Sequence, residues 1–95
     1  MQAIIKSVKF KASSRLEDFV NERVERLGRL NQKIIRVHVT LSLESDSSPE
    51  NKSCELLLSI PGEDPYLKKT ADSFEEAVIQ AVDAMERVLR RMKDR

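Results

Sequence analysis

The strongest constraint on the fold is the segment IIRVHVTLSLE, residues 34–44, in which apolar and polar residues alternate strictly from Ile35 onward. Successive side chains of a β-strand point to opposite faces of a sheet, so this period of two predicts a strand with one buried and one solvated face. The apolar set on the face expected to be buried is Ile35, Val37, Val39, Leu41 and Leu43. A sheet that is apolar on one side needs a covering layer, which the rest of the chain must supply.

Two amphipathic helices are predicted to form that layer. Ser13 and Ser14 offer an N-cap for a helix over about 14–31, and Ser73 offers one for a helix that runs to the end of the chain. Glu76, three residues after Ser73, would complete a capping box. Apolar residues recur at helical spacing in both segments, so each helix has one face that it must bury.

Three further strands complete the predicted fold. A first strand is expected over roughly 2–10, with Ile4, Val8 and Phe10 on one apolar face. Alternating apolar residues mark a third strand over 54–60, and residues 66–71 read as a short fourth strand. The segment PGED at 61–64 predicts a tight turn, and SDSSPENK at 45–52 predicts a polar loop.

The element order is therefore βαβββα, which predicts an α+β two-layer sandwich. The first two strands flank a helix and can lie parallel through a right-handed crossover, while the later strands form antiparallel hairpins. One-sided alternation in the second and third strands places both helices on the same face of a four-stranded sheet. We see no linker or repeat, so residues 1–95 are interpreted as a single domain.

Composition excludes several classes of function. A lone cysteine, Cys54, excludes an internal disulfide and fits a reducing compartment. No segment approaches the roughly 18 apolar residues of a membrane span, and the N-terminus does not resemble a signal peptide. His38 and Cys54 stand alone, without the partners of a catalytic triad or a metal site. The sequence thus predicts a cytoplasmic protein with no membrane partner, no small-molecule substrate, no cofactor and no enzymatic activity.

The charges of the two helices allow two interpretations. The net charge is only +1, yet around each helix several arginines gather on one flank, apart from most of the acidic residues. Ordinary helix-stabilising pairs at i,i+4 spacing would be Glu22–Arg26, Glu25–Arg29, Asp83–Arg87 and Glu86–Arg90. The alternative is a nucleic-acid surface, favoured by the preference for Arg over Lys and by a repeated basic flank. On residues alone, both stay open.

Other cations are equally ambiguous. Arg23 falls within the apolar stripe of the first helix, where it either extends past the core edge to water or is held rigidly for a phosphate. Lys68 and Lys69 in the fourth strand either discourage edge-to-edge aggregation or add phosphate contacts. Tyr66 either stacks on a base or covers the open face of the sheet.

Several strings resemble one known family. These are LEDFVNERVERL in the first helix, IIRVHVTLSLE in the second strand and SFEEAVIQAVDAMERVLRRMK in the last helix, together with the IPGEDPY turn. Their order and spacing over nearly the whole chain resemble the ribosome hibernation promoting factors, also called ribosome-associated inhibitors or sigma-54 modulation proteins. The absence of a second domain and of a C-terminal extension resembles the short type.

The resemblance implies a shape like a double-stranded-RNA-binding domain and a place in the cleft of the 30S small ribosomal subunit. Members overlap the messenger and transfer-RNA sites, silence translation in stationary or starved cells and associate with 70S ribosomes or inactive 100S dimers. Basic residues would face 16S rRNA. The candidate rRNA-binding residues are Arg23, Arg26, Arg29, Lys68, Lys69, Arg87, Arg90, Arg91 and Lys93. The older family label leaves a second hypothesis, a protein-interaction module that acts on transcription through the sheet face.

Overall fold

The computed structural model describes residues 1–44 and 48–93. The elements are β1 (Gln2–Val8), α1 (Ser14–Leu30), β2 (Arg36–Leu43), β3 (Lys52–Ser59), β4 (Tyr66–Ala71) and α2 (Phe74–Lys93). The predicted order βαβββα and the α+β class are confirmed. The SDS part of the predicted polar loop, residues 45–47, and Arg95 lie outside the described residues.

The four strands form one sheet in the order β1-β2-β3-β4. The strand β1 pairs parallel with β2, whereas the pairs β2–β3 and β3–β4 are antiparallel. The parallel pair requires a crossover connection, and α1 supplies it. The predicted strand directions are therefore confirmed.

Both helices cover one face of this sheet, and the core lies between the two layers. The helix α2 packs on β3 and β4, and α1 packs beside α2 and next to β1. Alternate residues of the central strands, Val37 to Leu41 in β2 and Cys54 to Leu58 in β3, are fully buried beneath the helices. The opposite face of the sheet has no covering layer in the described residues, as the alternation predicts.

Serine caps begin both helices at the predicted places. The Ser13 hydroxyl accepts a hydrogen bond from the Leu16 N–H, and the Ser73 hydroxyl accepts one from the Glu76 N–H, both at 3.1 Å. These bonds satisfy backbone donors that the first helical turn leaves free. The predicted reciprocal half of the capping box is not formed, because the Glu76 carboxylate accepts from the Gln80 amide at 3.3 Å.

The predicted shared face of the first strand is correct for Ile4 and Val8 and wrong for Phe10. Ile5 packs against the core, while Ile4 lies on the open face and is 40% exposed. The expectation that Ile4 and Phe10 share a face fails because Lys9, between them, has a φ of 67°. This left-handed residue ends the period of two, and Phe10 turns to stack on Phe74 with ring centroids 4.2 Å apart.

Ile35 is a second departure from the alternation. It was expected on the buried face of the second strand, but it precedes the first residue of β2 and is 53% exposed. Its neighbour Ile34 is 3% exposed and fills the core instead. The period of two applies only where the chain is paired as a strand, and Ile34 lies before that pairing begins.

The chain reverses tightly between β3 and β4. Ile60 and Glu63 exchange two backbone hydrogen bonds, so Pro61 and Gly62 occupy the two central positions of the turn. Gly62 has a φ of 87°, which fits the third position of a type II turn with proline before it. The predicted turn at PGED is confirmed.

The topology makes the two helices run in the same direction. Each helix follows a strand of the same orientation, because β1 is parallel to β2 and β4 is parallel to β2 through β3. Arg26 and Leu30 near the end of α1 accordingly lie beside Glu86 and Arg90 near the end of α2. The two C-terminal halves therefore form one end of the helical layer.

Candidate nucleic-acid interface

Charge is divided along the length of the helical layer. Residues 14–22 of α1 hold one cation and three anions, and residues 74–85 of α2 hold three anions and no cation. The C-terminal halves, residues 23–30 and 86–93, hold seven cations and two anions. We call these two C-terminal halves the basic end. Its cations are Arg23, Arg26, Arg29, Arg87, Arg90, Arg91 and Lys93.

The parallel arrangement of the helices makes this division a property of the surface. In a single helix, cations in the last turns compensate the partial negative charge of the helix C-terminus. Here two such termini lie side by side, so their compensating cations add to one patch. The protein has a net charge of only +1, yet one end of its helical layer carries a net charge of +5 and the other −5.

A buried carboxylate joins the two helices at the centre of the basic end. Glu86 Oε1 lies 3.2 Å from an Arg26 nitrogen of α1, and Glu86 Oε2 lies 3.7 Å from an Arg90 nitrogen one turn along α2. The Glu86 side chain is 10% exposed, while those of Arg26 and Arg90 are 44% and 63% exposed. The glutamate therefore anchors the base of two guanidinium groups whose outer edges face solvent.

The contact with Arg26 leaves one acceptor available. Glu86 Oε1 has no hydrogen bond of good geometry among the described residues, although the ion pair with Arg26 is close. A shallow depression of about 410 Å³ lies between the helices at this point. It is lined by Arg26, Arg29, Leu30, Glu86 and Arg90. Sequence reasoning assigned Glu86 only to a pair within its own helix. The signal that could have found its role is its position directly beside Met85 on the buried stripe.

Most of the predicted ion pairs within helices are not formed. Of the four pairs, only Glu86–Arg90 is present, and Arg26 pairs across the helix interface rather than with Glu22. Arg29, Arg87 and Arg91 are exposed and have no carboxylate within 4 Å across residues 1–44 and 48–93. Neutralisation by neighbouring carboxylates therefore does not account for these cations.

Arg23 occupies an intermediate position. Its guanidinium carbon lies 5.5 Å from the centroid of the Phe19 ring, which places the cation over an aromatic face one turn earlier in α1. Such a contact holds the side chain without neutralising its charge. Arg23 is half-buried, so its stem covers apolar surface as the first interpretation predicts, while a contact of its guanidinium with phosphate stays a prediction.

The two lysines of β4 point to opposite faces of the sheet. Lys69 is on the helical side, whereas Lys68 is on the open face, where its ammonium lies 2.6 Å from Glu44 Oε1. This hydrogen-bonded pair lowers the pKa of Glu44 and raises the pKa of Lys68. The structure therefore does not bring Lys68 together with the arginines of the helices.

The open face of the sheet is defined by rows of paired residues. Ile4, His38, Leu57 and Tyr66 are mutually paired across all four strands and form one row. Leu57 is 39% and Tyr66 56% exposed. The Tyr66 hydroxyl donates a hydrogen bond of 2.6 Å to Glu55, which raises the pKa of Tyr66.

The described residues offer little for catalysis or metal binding. Cys54 is fully buried, and its desolvation raises the thiol pKa to about 12, so the thiolate needed for reactivity is not populated near neutral pH. Over residues 1–44 and 48–93, no group of three or more His, Cys, Asp or Glu side chains is placed to hold a metal ion. None of the described helices is long and apolar enough to cross a membrane.

A comparison with protein families finds one whose model matches nearly the whole chain. The model of the family described as "Sigma 54 modulation protein / S30EA ribosomal protein" matches residues 3–95. None of the curated protein sequences compared with this chain matches it significantly.

Two solved structures have the same fold. The chain is similar to a ribosomal subunit interface protein from Coxiella burnetii, with a TM-score of 0.88, 15% sequence identity and 100% of each chain covered. It is also similar to the N-terminal domain of Protein Y from Thermus thermophilus, with a TM-score of 0.82 and 20% identity over 97% of this chain and 99% of the other. At these identities the likeness shows the fold alone.

Proposed function

Because this chain belongs to the Sigma 54 modulation protein / S30EA ribosomal protein family, we propose that it is a ribosome hibernation factor. It binds the 30S small ribosomal subunit near the decoding region and occludes the messenger and transfer-RNA sites. Translation stops, and the idle 70S ribosome or 100S dimer is preserved in the cytoplasm. The protein acts by occupying space and carries out no reaction.

The observation that carries this proposal is the basic end. A protein with a net charge of +1 attracts a polyanion only if its cations are segregated, and here both helices bring them to one place. Arginine supports this role, since its planar guanidinium makes paired hydrogen bonds to phosphate. The rRNA contacts are assigned to the seven cations of the basic end, with Lys69 as an additional contact from the helical side of β4.

Binding by phosphate contacts predicts a steep dependence on salt. With about six phosphates neutralised, affinity falls by roughly 10³ between 50 and 200 mM salt, because counterions released from RNA drive the association. The experiment is sedimentation of the purified protein with ribosomes on sucrose gradients over this salt range, with translation in a cell-free extract measured in parallel. Co-sedimentation that does not change with salt, or bound protein that leaves translation unaffected, contradicts the proposal.

The open face favours a second candidate, a protein-interaction module that acts on transcription. Leu57 and Tyr66 present exposed apolar surface in the middle of the sheet, on the side opposite the helices. This function predicts that Leu57→Ser with Tyr66→Ala removes the biological effect, while ribosome binding stays within about twofold. In a stationary-phase lysate the protein would co-migrate with RNA polymerase rather than with 30S, 70S or dimeric particles.

A further inference from the structure

A groove lies at the extreme of the basic end, beyond the depression that Glu86 lines. It is enclosed by the C-terminal ends of α1 and α2 and by the turn between β3 and β4, and its volume is about 720 Å³. Protein sites that bind small organic groups have volumes of about 300–1,000 Å³. The groove therefore has room for a nucleobase with its sugar.

The floor of the groove is apolar. It consists of Leu30, Ile60, Leu89 and Met92. Ile60 and Leu89 are nearly buried at 7% and 3% exposure, while Leu30 and Met92 are partly buried and reach the surface. Covering this floor removes apolar surface from water, which is favourable. A flat ring can cover it in this way, whereas a hydrated ion cannot.

The rim of the groove is cationic. Arg29, Lys33 and Lys93 line it and are exposed, and Glu63 is the acidic side chain among the lining residues. Asn31 and Gln32, which follow α1 directly, add amide groups. The last turn of a helix also leaves backbone carbonyls without intrahelical partners, and these can accept from a base amino group. The groove thus suits a ligand with an apolar central part, a hydrogen-bond donor at the edge of that part and negatively charged groups on either side of it.

We infer that this groove receives one unpaired nucleotide of RNA, with its base on the apolar floor and its flanking phosphates on the cationic rim. This inference rests on the proposed function, because Arg29 and Lys93 belong both to the groove and to the basic end that contacts RNA. An unpaired nucleotide is proposed, since a base inside an A-form duplex must first be unpaired and unstacked before it can reach the floor.

The experiment uses three RNA hairpins of equal charge, measured by fluorescence anisotropy at about 100 mM salt. One is fully paired, one carries a single bulged nucleotide, and one carries an abasic bulge at the same position. We expect the hairpin with the base to bind roughly tenfold more tightly than the abasic hairpin, because the base removes apolar side chains of the floor from water. Equal affinities for the bulged and abasic hairpins overturn the inference.

Met92 provides the variant that tests the floor. Met92→Glu places a carboxylate among the apolar side chains and is expected to remove the tenfold difference, whereas the conservative Met92→Leu retains it. Circular dichroism shows that each variant is folded. If the difference persists in Met92→Glu, the base binds elsewhere and the inference is wrong. The same holds if an acidic peptide binds the wild-type groove but the base has no effect.

The failure of this inference can be told apart from the failure of the proposed function. Salt-dependent sedimentation with ribosomes, together with equal affinity for the bulged and abasic hairpins, overturns only the groove. A base-dependent gain that Met92→Glu removes, in a protein that never sediments with ribosomes, supports the groove and overturns the hibernation proposal.

Discussion

The basic end and the open face of the sheet are both solvated and both carry charged side chains, but they hold their charges differently. On the open face, Lys68 is paired with Glu44, and Glu55 accepts a hydrogen bond from Tyr66. At the basic end, seven cations face two anions, and Arg29, Arg87 and Arg91 have no carboxylate within 4 Å in the described parts of the chain. Cations without protein partners retain their full attraction for an external anion.

The difference shows that composition is a poor guide to polyanion binding. The charge of a paired lysine is neutralised by its carboxylate partner, and exposed pairs of this kind contribute little stability. Unpaired arginines around a single anchoring carboxylate repel one another, a cost that a bound phosphate relieves. The position of carboxylates, more than the number of cations, separates the two surfaces.

The largest expected effect comes from reversing charge at the basic end. Arg87→Glu with Arg91→Glu should weaken ribosome binding by roughly 100-fold or more, because two charge-assisted contacts become repulsions. The melting temperature should change little, since both side chains are exposed and outside the observed ion pairs. Quantitative co-sedimentation with 30S subunits and thermal denaturation measure the two effects.

The matched control reverses the same charge on the open face. Lys6→Glu with Arg36→Glu changes net charge by the same amount, and both side chains are exposed on that face. Ribosome affinity is expected to fall by no more than about threefold. Equal losses in the two double variants would mean that total charge, and not the basic end, governs binding.

A smaller effect is expected on stability when the buried anchor loses its partner. Arg26→Met leaves the Glu86 carboxylate with only the longer contact to Arg90, and an under-paired buried charge should cost about 1–2 kcal/mol in the free energy of unfolding. The comparison is Lys68→Met, which leaves Glu44 in contact with water and should lower the unfolding midpoint by clearly less than Arg26→Met does. Urea denaturation distinguishes them, and identical midpoints would show that Glu86 is hydrated despite its burial.

Removing the anion at the basic end should have the opposite effect on binding. Glu86→Gln keeps the shape of the side chain, frees Arg26 and Arg90 from a carboxylate and should tighten ribosome binding by about threefold, the scale of one partly exposed ion pair. Unchanged stability is expected because both arginines can be hydrated. Weaker binding would indicate that Glu86 is needed to position the two guanidinium groups.

The smallest expected effect is the pH dependence of the open-face pair. Glu44 has a lowered pKa because of Lys68, so its contribution to stability is present above its ordinary value of 4.5 and is lost as pH falls through the lower folded value. Lys68 has a raised pKa, so its contribution is present below 10.5 and is lost as pH rises through the higher folded value. Comparing unfolding midpoints of wild type and Lys68→Met from pH 3 to 7 tests the acidic limb. Parallel curves over this range contradict the coupling.

The sequence predicted most of the fold, because the main signals are local. Alternation in the second strand, the serine caps and the PGED turn each depend on a few neighbouring residues, and all appear at the expected places. The errors at Phe10 and Ile35 arose at the ends of strands, after Lys9 and before Arg36. There a period of two no longer indicates direction.

The candidate site was only partly accessible to the same reasoning. A helical wheel gives the angle of a side chain but not which neighbour it faces, so Arg26 was assigned to Glu22 rather than to Glu86 of the other helix. Lys68 and Lys69 were grouped as neighbours in the sequence, although adjacent strand residues point to opposite faces. Lys33 of the groove was missed, because nothing in its own segment indicates that two helix ends meet beside it.

The sequence by itself determined the elements, their order and the acidic-to-basic gradient along each helix. Only the tertiary structure decided that the two gradients point the same way. Charges at the ends of separate helices reinforce or cancel according to the relative direction of the helices, and that direction follows from the parallel pairing of β1 with β2 and the two reversals that return the chain to α2. An antiparallel pair with the same residues would have placed each basic end beside an acidic one.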